Sequence, residues 1–373
     1  VTLGLEYSIL RQATAAVIGQ MPPTGGQRYP TAIEGLRETW NHNTGVISQV
    51  GMSWRESIFL TGGLRLERND AFSGGNRYPL LPMLGLAVVR SLGDAEIKWR
   101  AAYGKGIRPP QTPARGAAGG YAGNLGYQGY AGSGGANNVL PALDPEEQAG
   151  YEGGVEVYLG HALSFQLTRF DQHVTGLIQN VVVAVDTFAR GSTIERRVRY
   201  QLQNVGEITN TGWEVQGNVS RGLFNLATTF SSVDSRVRAL ANGYMGDLRP
   251  GDRMLAVPEQ TGSATLSYVG DRWFASFGAT RAMNWINYDR LAIAAQYLNT
   301  TQGSKPPTGS ALRDYWKKYD GETHLRLNLS RDIKHGIALL VTGENLLGGQ
   351  LGEPDNVTIR PGRSVTAGLR ASF

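Results

Sequence analysis

Apolar and polar residues alternate along much of the chain, most regularly at its C-terminal end. In residues 364–373 every second residue is apolar, and the residues between them are small or polar. A period of two is that of a β-strand, whose successive side chains point to opposite faces. Residues 323–330 and 337–343 repeat the pattern. Three strands of one kind are therefore predicted to end the chain.

The connections between the predicted strands alternate between short and long. The short ones, of about two to five residues, are typical hairpin turns. They fall at 55–57, 92–94, 160–162, 220–222, 269–272 and 332–335. The long ones fall at 11–44, 68–81, 106–149, 180–196, 232–260, 286–320 and 346–362. With residues 199–219 taken as one strand through Gly206 and Gly212, the count is about 14 strands, an even number.

Strands joined alternately by tight turns and long loops are typical of outer-membrane proteins. We therefore predict an all-β fold: an antiparallel transmembrane β-barrel with its turns on the periplasmic side and its loops outside. Tryptophans near strand ends fit the aromatic girdles of such barrels. They are Trp54, Trp99, Trp213 and Trp273. On the last strand, the residues predicted to face lipid are Val365, Leu369 and Phe373, and those predicted to face the lumen are Thr366, Arg370 and Ser372.

Two other architectures are considered and disfavoured. A soluble sandwich or propeller is the alternative all-β fold, but a propeller needs a fixed repeat of about 40–50 residues, and the sequence shows none. A membrane helix needs about 20 mainly apolar residues. The most apolar stretch, around residues 80–89, is shorter and contains Pro82 and Gly85.

Composition narrows the function classes. Glycine accounts for 50 of 373 residues, which disfavours a helical protein because glycine weakens helices. The sequence contains no cysteine, so disulfides, thiolate metal sites and cysteine nucleophiles are excluded. The net charge is +5, but lysine and arginine are scattered without a basic run, so nucleic acid is not expected as a partner.

Several fragments, in this order along the chain, resemble the strand motifs of TonB-dependent outer-membrane receptors. They are Tyr103-Gly-Lys-Gly-Ile-Arg-Pro-Pro, Leu143-Asp-Pro-Glu-Glu with Tyr151-Glu-Gly-Gly-Val-Glu, Asn204-Val-Gly-Glu-Ile-Thr-Asn-Thr-Gly-Trp-Glu, and Glu344-Asn-Leu-Leu with Pro361-Gly-Arg. The Ile-Thr-Asn-Thr-Gly form is most similar to SusC/RagA-like members. Each fragment falls on a strand or strand end predicted independently from the alternation.

The resemblance implies a barrel of about 22 strands, with an N-terminal plug domain and a TonB box, whereas about 14 strands and neither of these features are visible here. Residues 1–373 are therefore expected to form the C-terminal part of a receptor barrel, with Val1 in about the ninth strand. If so, the first strand, Thr2–Ile9, and the last, Ser364–Phe373, should not pair with each other.

The implied function is active import across the bacterial outer membrane. The implied partners are outer-membrane lipid, the TonB complex through the upstream part, an imported ligand and, for a SusC/RagA-like member, a lipoprotein lid. The ligand could be a glycan, a peptide, a siderophore or a similar nutrient. Two alternatives remain open: a complete passive channel of about 14 strands, and a barrel enzyme or structural surface protein.

No catalytic, cofactor or metal site is predicted. The five histidines have no partner at metal-ligand spacing, and His324 is expected to be a polar lumen residue. Polar residues on the predicted lumen face are expected to line water rather than to catalyse; they are Glu6, Glu96, Arg100, Glu152, Glu156, Glu214, Arg326 and Arg370. Asp144, Glu146 and Glu147 lack the regular spacing of a calcium loop.

Ligand recognition is expected in the long loops, because tight turns have too few residues to shape a site. Aromatic side chains in loops 106–149, 232–260 and 286–320 could stack on a ligand, with arginines as polar anchors. The predicted ligand-binding residues are Tyr121, Tyr127, Tyr130, Tyr244, Tyr297, Trp316, Arg115, Arg249 and Arg290.

Overall fold

A single antiparallel β-sheet makes up most of the computed structural model. The structure describes residues 1–18, 32–70, 72, 78–110, 143–190, 193–244, 246–299, 307, 309–334, 336–350 and 356–371. Fourteen strands pair in chain order, as the alternation predicts. They are β1 (Thr2–Ile18), β2 (Ala32–Trp54), β3 (Ile58–Asn69), β4 (Leu80–Leu92), β5 (Ala95–Arg108), β6 (Glu146–Leu159), β7 (Leu163–Arg190), β8 (Thr193–Arg221), β9 (Phe224–Leu240), β10 (Gln260–Val269), β11 (Trp273–Tyr288), β12 (Trp316–Lys334), β13 (Ile337–Glu344) and β14 (Ser364–Ala371).

Within the described residues, the helical segments lie between β11 and β12, inside the connection predicted at 286–320. They are α1 (Arg290–Asn299) and a 3₁₀-helix (Gly309–Tyr315). Neither is long and apolar enough to cross a bilayer, nor is any other helix in the described part of the chain.

The sheet has one apolar and one polar face. On β14, Val365 and Leu369 lie on the apolar face and are 66% and 71% exposed. Arg370 is opposite Ala338, which is opposite Asp332 on the next strand, and all three share the polar face. A shift of one residue in the register of β14 would exchange the residues on its apolar and polar faces. The predicted facing of the last strand is therefore confirmed, except for Ser372 and Phe373, which lie outside the described residues.

The four tryptophans predicted as girdle residues all lie on the apolar face with exposed side chains. Trp54 is the last residue of β2 and Trp273 the first of β11, so both lie at the turn end of the sheet. Arg331 covers the Trp273 ring at 4.8 Å, and Arg169 covers Trp213 at 5.3 Å. Such pairs combine an apolar ring with a cation, as suits a boundary between lipid and water.

The edges of the sheet are β1 and β14. Among the described residues, β1 pairs only with β2, and β14 pairs only with β13. The prediction that the first and last strands do not pair with each other is confirmed. The sheet is not closed into a barrel of fourteen strands.

Two predicted long loops are largely strand, and those predictions were wrong. Residues 180–196 were expected to form a loop, but β7 and β8 remain paired as far as Arg190 and Thr193. Residues 11–44 were also expected to form a loop, but β1 and β2 extend to Ile18 and Ala32. Strands need about ten residues to cross the bilayer. Beyond it both faces meet water, so pairing continues without the apolar alternation on which the prediction relied.

The longest strand stays continuous because two glycines allow close approach. A Cβ at Gly206 would lie 2.2 Å from the Ala239 carbonyl oxygen, and one at Gly212 would lie 2.2 Å from that of Ser232. No side chain fits at these distances without moving the neighbouring strand. The prediction of one strand passing through both glycines is confirmed.

Candidate functional site

Two connections at the end of the sheet opposite the tight turns are joined by a cluster of buried and half-buried polar groups. We call Asp247, Asp252, Tyr288, Arg313 and Trp316 the loop cluster. Asp247 is only 7% exposed, and its Oδ2 accepts hydrogen bonds from Tyr288 Oη at 2.6 Å and Trp316 Nε1 at 2.7 Å. A carboxylate buried this far needs such donors to offset its lost hydration. The connection 241–259 is therefore fastened to the segment that begins β12.

Arg313 provides the second half of the loop cluster. Its guanidinium donates to both oxygens of Asp252, at 2.5 and 2.7 Å, and to the Asp247 carbonyl oxygen at 3.0 Å. It also lies over the Trp316 ring, 4.4 Å from the centroid. A bidentate arginine–carboxylate pair fixes orientation as well as distance. The 3₁₀-helix and connection 241–259 are thus held in one relative position.

The environment of the loop cluster shifts the pKa values of groups on connection 241–259. Hydrogen bonds from Arg313 hold the pKa of the Asp252 carboxyl below its usual range. Burial raises the pKa of the Tyr244 phenol, three residues before Asp247. Both groups therefore stay in one protonation state through the neutral range, and the ion pair of Asp252 is present there.

Acidification should loosen the loop cluster. A carboxyl whose pKa is lowered by folding contributes stability above its ordinary pKa of 3.8, and this is lost as the pH falls through the folded value. Amide hydrogen exchange in residues 246–254, corrected for its intrinsic pH dependence, should be constant from about pH 6 to 8 and rise only below about pH 4. The variant R313Q should lack this acid-dependent rise. A rise between pH 6 and 8 would contradict the assignment.

A third connection, between β13 and β14, reaches the same end. Asp289 Oδ1 accepts from the Ala292 amide at 2.9 Å and so caps α1. Asn356 donates to the same oxygen at 2.7 Å and accepts from the Arg290 amide at 3.1 Å. The capping amide bond lowers the pKa of Asp289. The start of α1 is thereby tied to the third connection.

The predicted ligand-binding residues are placed as follows. Tyr244, Arg249 and Trp316 lie in or beside the loop cluster, and Arg290 begins α1. Tyr297 is in α1, but its side chain is outside the described residues, as are Arg115, Tyr121, Tyr127 and Tyr130. The Arg249 side chain is exposed. The indole N–H of Trp316 is already bonded to Asp247, so this residue fastens the loop.

Sequence reasoning missed Asp247, Asp252 and Arg313. Arg313 and its partner Asp252 are 61 residues apart in the chain, and Trp316 and its partner Asp247 are 69 residues apart. Pairings at such distances leave no local pattern. Only the presence of an aspartate and arginine in loops expected to carry function could have pointed to them.

Residues of the fragments that resemble receptor motifs contact one another at the loop ends of the strands, and these contacts explain their roles. Arg108 forms an ion pair with Glu146 at 3.2 Å, so the first two motifs meet. Asn204 accepts from the Asp144 amide at 2.8 Å and donates to the carbonyl oxygens of Asp144 and Gly176 at 2.8 and 2.7 Å. One amide side chain therefore holds the start of β6 and a left-handed turn of β7, where Gly176 has φ 70°.

Asn345 has the same role in the last motif. Its Nδ2 donates to the carbonyl oxygens of Gly349 and Pro361, at 2.6 and 3.0 Å. The two ends of the third connection are thereby drawn together beside β13. This accounts for the Asn-Leu-Leu and Pro-Gly-Arg fragments occurring as a pair.

Replacing Asn204 with alanine should remove three hydrogen bonds and leave the Asp144 amide without its acceptor. We expect the free energy of unfolding to fall by about 2–3 kcal/mol, measured by guanidinium titration of the protein folded in detergent. Asn328 is the matched control, since its half-buried side chain forms no hydrogen bond within the described residues. Its alanine variant should lose less than about 0.5 kcal/mol. Equal losses would contradict the role of Asn204.

The polar face carries ion networks, as predicted for a lumen. Arg100 donates to Glu152 Oε1 at 2.6 Å and to Thr168 Oγ1 at 2.8 Å, and lies 3.0 Å from Glu156 Oε1. Lys98 pairs with Glu156 at 3.1 Å. These groups neutralise one another across three neighbouring strands. The network stabilises the wall.

No group of residues with metal-binding geometry occurs in the described part of the chain. Of the acidic residues weighed as calcium ligands, Glu146 pairs with Arg108 and Glu147 with Lys105. His324 lies beside Arg360 and 3.6 Å from Glu322 Oε2. It is a polar wall residue, as predicted.

Comparisons with known proteins agree with this geometry. The family model described as "TonB dependent receptor-like, beta-barrel" matches residues 2–346. Comparison with curated protein sequences finds no significant match. Among solved structures, the siderophore receptor PirA from Acinetobacter baumannii is similar, with a TM-score of 0.64 and 16% identity, over 100% of this chain and 52% of that one.

Two further structures have the same fold. The copper transporter OprC has a TM-score of 0.62 and 17% identity, over 100% of this chain and 53% of its own. The ferripyoverdine receptor of Pseudomonas aeruginosa has a TM-score of 0.59 and 14% identity, over 93% of this chain and 41% of its own. The chain thus spans about half the length of the structures it matches. With its segregated faces, tight turns at one end and fastened connections at the other, the chain belongs to the TonB-dependent receptor β-barrel family of the bacterial outer membrane.

Proposed function

We propose that the chain forms the C-terminal part of an outer-membrane receptor that imports a nutrient with energy from the TonB complex. The family match over residues 2–346 carries this proposal. The family and the similar structures are receptors and transporters, so no enzymatic activity is proposed. The connections around the loop cluster would capture the ligand outside the cell.

The unpaired edges of the sheet argue against a complete passive channel of fourteen strands. Each unpaired backbone group in hydrocarbon costs several kcal/mol, so β1 and β14 need further strands beside them. We propose that these strands, together with a plug domain, belong to the same receptor. A complete channel of fourteen strands would require β1 and β14 to pair, and they do not.

The test compares growth with and without energy coupling. The full receptor is expressed in a host that lacks its own receptors, with or without TonB. Growth is scored on ferric siderophores under iron limitation, and on glycans or peptides as sole carbon sources. We expect growth on at least one ligand, lost when TonB is deleted. Growth that is independent of TonB, together with swelling of liposomes that contain the protein, would favour the passive channel.

Ligand contact by the loop aromatics stays a proposal and has its own test. Alanine replaces Tyr121, Tyr127, Tyr130, Tyr244 and Tyr297 together, and Trp316 separately because it fastens Asp247. Uptake should be lost in the five-tyrosine variant while the barrel still assembles, as judged by heat-modifiable gel mobility. An assembled variant with unchanged uptake would move recognition to upstream loops or to a partner such as a lipoprotein lid.

A further inference from the structure

A cavity of about 420 Å³ opens on the polar face of strands β6 to β9. Connection 241–259 contributes Met254 and Val257 to its lining. We call it the wall cavity. It is lined by Glu152, Thr168, Phe170, Gln172, Ile208, Asn210, Glu214, Val233, Ser235, Met254 and Val257.

The floor of the wall cavity is apolar, although it lies on the lumen side. Phe170 and Val233 are the partners of Gly212 on its two sides, so their side chains lie at one level of the sheet. A Cβ at Gly212 would lie 2.5 Å from Phe170 Cζ. The missing side chain therefore lets the phenyl ring lie flat across β8. An aqueous lumen does not require such an apolar floor, which suits the apolar body of a ligand.

Hydrogen-bonding groups lie above and below this floor. Asn210 Oδ1 accepts from Ser235 Oγ at 2.6 Å, which leaves the amide N–H groups of Asn210 able to donate. Gln172 is opposite Asn210 at the same level. On the other side of the floor, Thr168 is opposite Glu214. A ligand lying on the floor would thus meet polar groups at both of its ends.

The charge of the lining is negative. It contains the carboxylates of Glu152 and Glu214 and no lysine, arginine or histidine. Glu152 is neutralised by Arg100 at 2.6 Å. Glu214 has no cationic partner within the described residues, and it is exposed to the lumen. One carboxylate therefore remains to attract a cation and to repel an anion.

We propose that the wall cavity binds a small organic cation, with its apolar body on Phe170 and Val233 and its ammonium group at Glu214. This rests on the proposed function, because it assigns part of the imported ligand a chemical class. Anionic chelates are disfavoured at this position by the same carboxylate. Binding to the cavity is measured directly and needs no energy coupling, so its failure is distinct from a failure of import.

The experiment uses the purified full receptor in detergent and two probes of nearly equal shape. Phenethylammonium carries the cation, and 3-phenylpropionate is the anionic counterpart. Binding is followed by saturation-transfer NMR and by competition titration. Phenethylammonium should bind, and 3-phenylpropionate should not compete with it.

Three variants assign the binding to the wall cavity. E214Q should weaken phenethylammonium binding about tenfold, as expected for loss of a charged hydrogen bond. V233F should abolish it by filling the floor. E96Q removes the same charge from an exposed position elsewhere on the polar face and should leave binding unchanged. Equal binding of both probes, or equal losses in E96Q and E214Q, would overturn the proposal. Heat-modifiable gel mobility confirms that each variant is folded.

Discussion

Replacing Gly212 with alanine is expected to be among the most destabilising single-residue changes in the sheet. The added Cβ would lie 2.2 Å from the Ser232 carbonyl oxygen and 2.5 Å from Phe170 Cζ. Both are far below a normal contact distance. Because the Ser232 carbonyl belongs to the neighbouring strand, relief requires β8 and β9 to separate. We expect the free energy of unfolding to fall by about 3 kcal/mol, or assembly to fail.

Gly104 is the matched control for this prediction. It lies in β5 on the same polar face, and a Cβ there would meet nothing within 4 Å. Its alanine variant should change stability by less than about 0.5 kcal/mol. Guanidinium unfolding in detergent, followed by tryptophan fluorescence, measures both variants. If the two variants were equally stable, the close approach of β8 and β9 at Gly212 would not be real.

A double variant separates the two clashes at Gly212. In F170A/G212A the aromatic contact is removed, but the Ser232 carbonyl remains 2.2 Å from the added Cβ. Stability should therefore be regained only in part relative to G212A. Full recovery of stability would mean that the Phe170 ring, rather than the Ser232 carbonyl, is the reason why position 212 requires glycine.

The sheet could be predicted from the sequence because its two faces contact different solvents. Lipid on one face and water on the other require strict alternation, which is why Val365 and Leu369 could be assigned opposite to Arg370 from the sequence alone. Tight turns were also predictable, since they leave few residues between two alternating runs. These signals are local, within about ten residues.

Where both faces meet water, the same signal is lost. The outer parts of β7 and β8 were predicted as a loop, although pairing continues to Arg190 and Thr193. Residues 181–185 read Val-Val-Val-Ala-Val, which favours a strand by β-propensity but does not alternate. Reliance on alternation alone therefore shortened these strands.

The candidate site was predictable only as a region. The loops carrying Tyr244, Arg249 and Trp316 were correctly expected to lie at one end of the sheet, since they connect strands at that end. The role of Trp316 was not predictable, because it depends on Asp247, 69 residues earlier. An aromatic residue in a loop looks the same in sequence whether it contacts a ligand or fastens the loop.

Removing the carboxylate of Asp247 should release connection 241–259. In D247A, Tyr288 Oη and Trp316 Nε1 both lose their acceptor, and each bond to a charged group contributes about 1.5–3 kcal/mol. At the lower figure for both bonds, amide exchange in residues 246–254 should become at least about 100-fold faster. D247N keeps an oxygen acceptor without the charge, so its effect should be about tenfold. Hydrogen-exchange mass spectrometry measures both.

The same variant tests whether the loop cluster supports the wall cavity. Met254 and Val257 line that cavity and belong to the connection that Asp247 fastens. D247A should therefore weaken phenethylammonium binding as well as accelerate exchange. Asp271 is the control: it is exposed in the tight turn between β10 and β11, at the opposite end of the sheet, so D271A should change neither quantity appreciably. Faster exchange in D247A with unchanged binding would show that the cavity keeps its shape when connection 241–259 is no longer fastened.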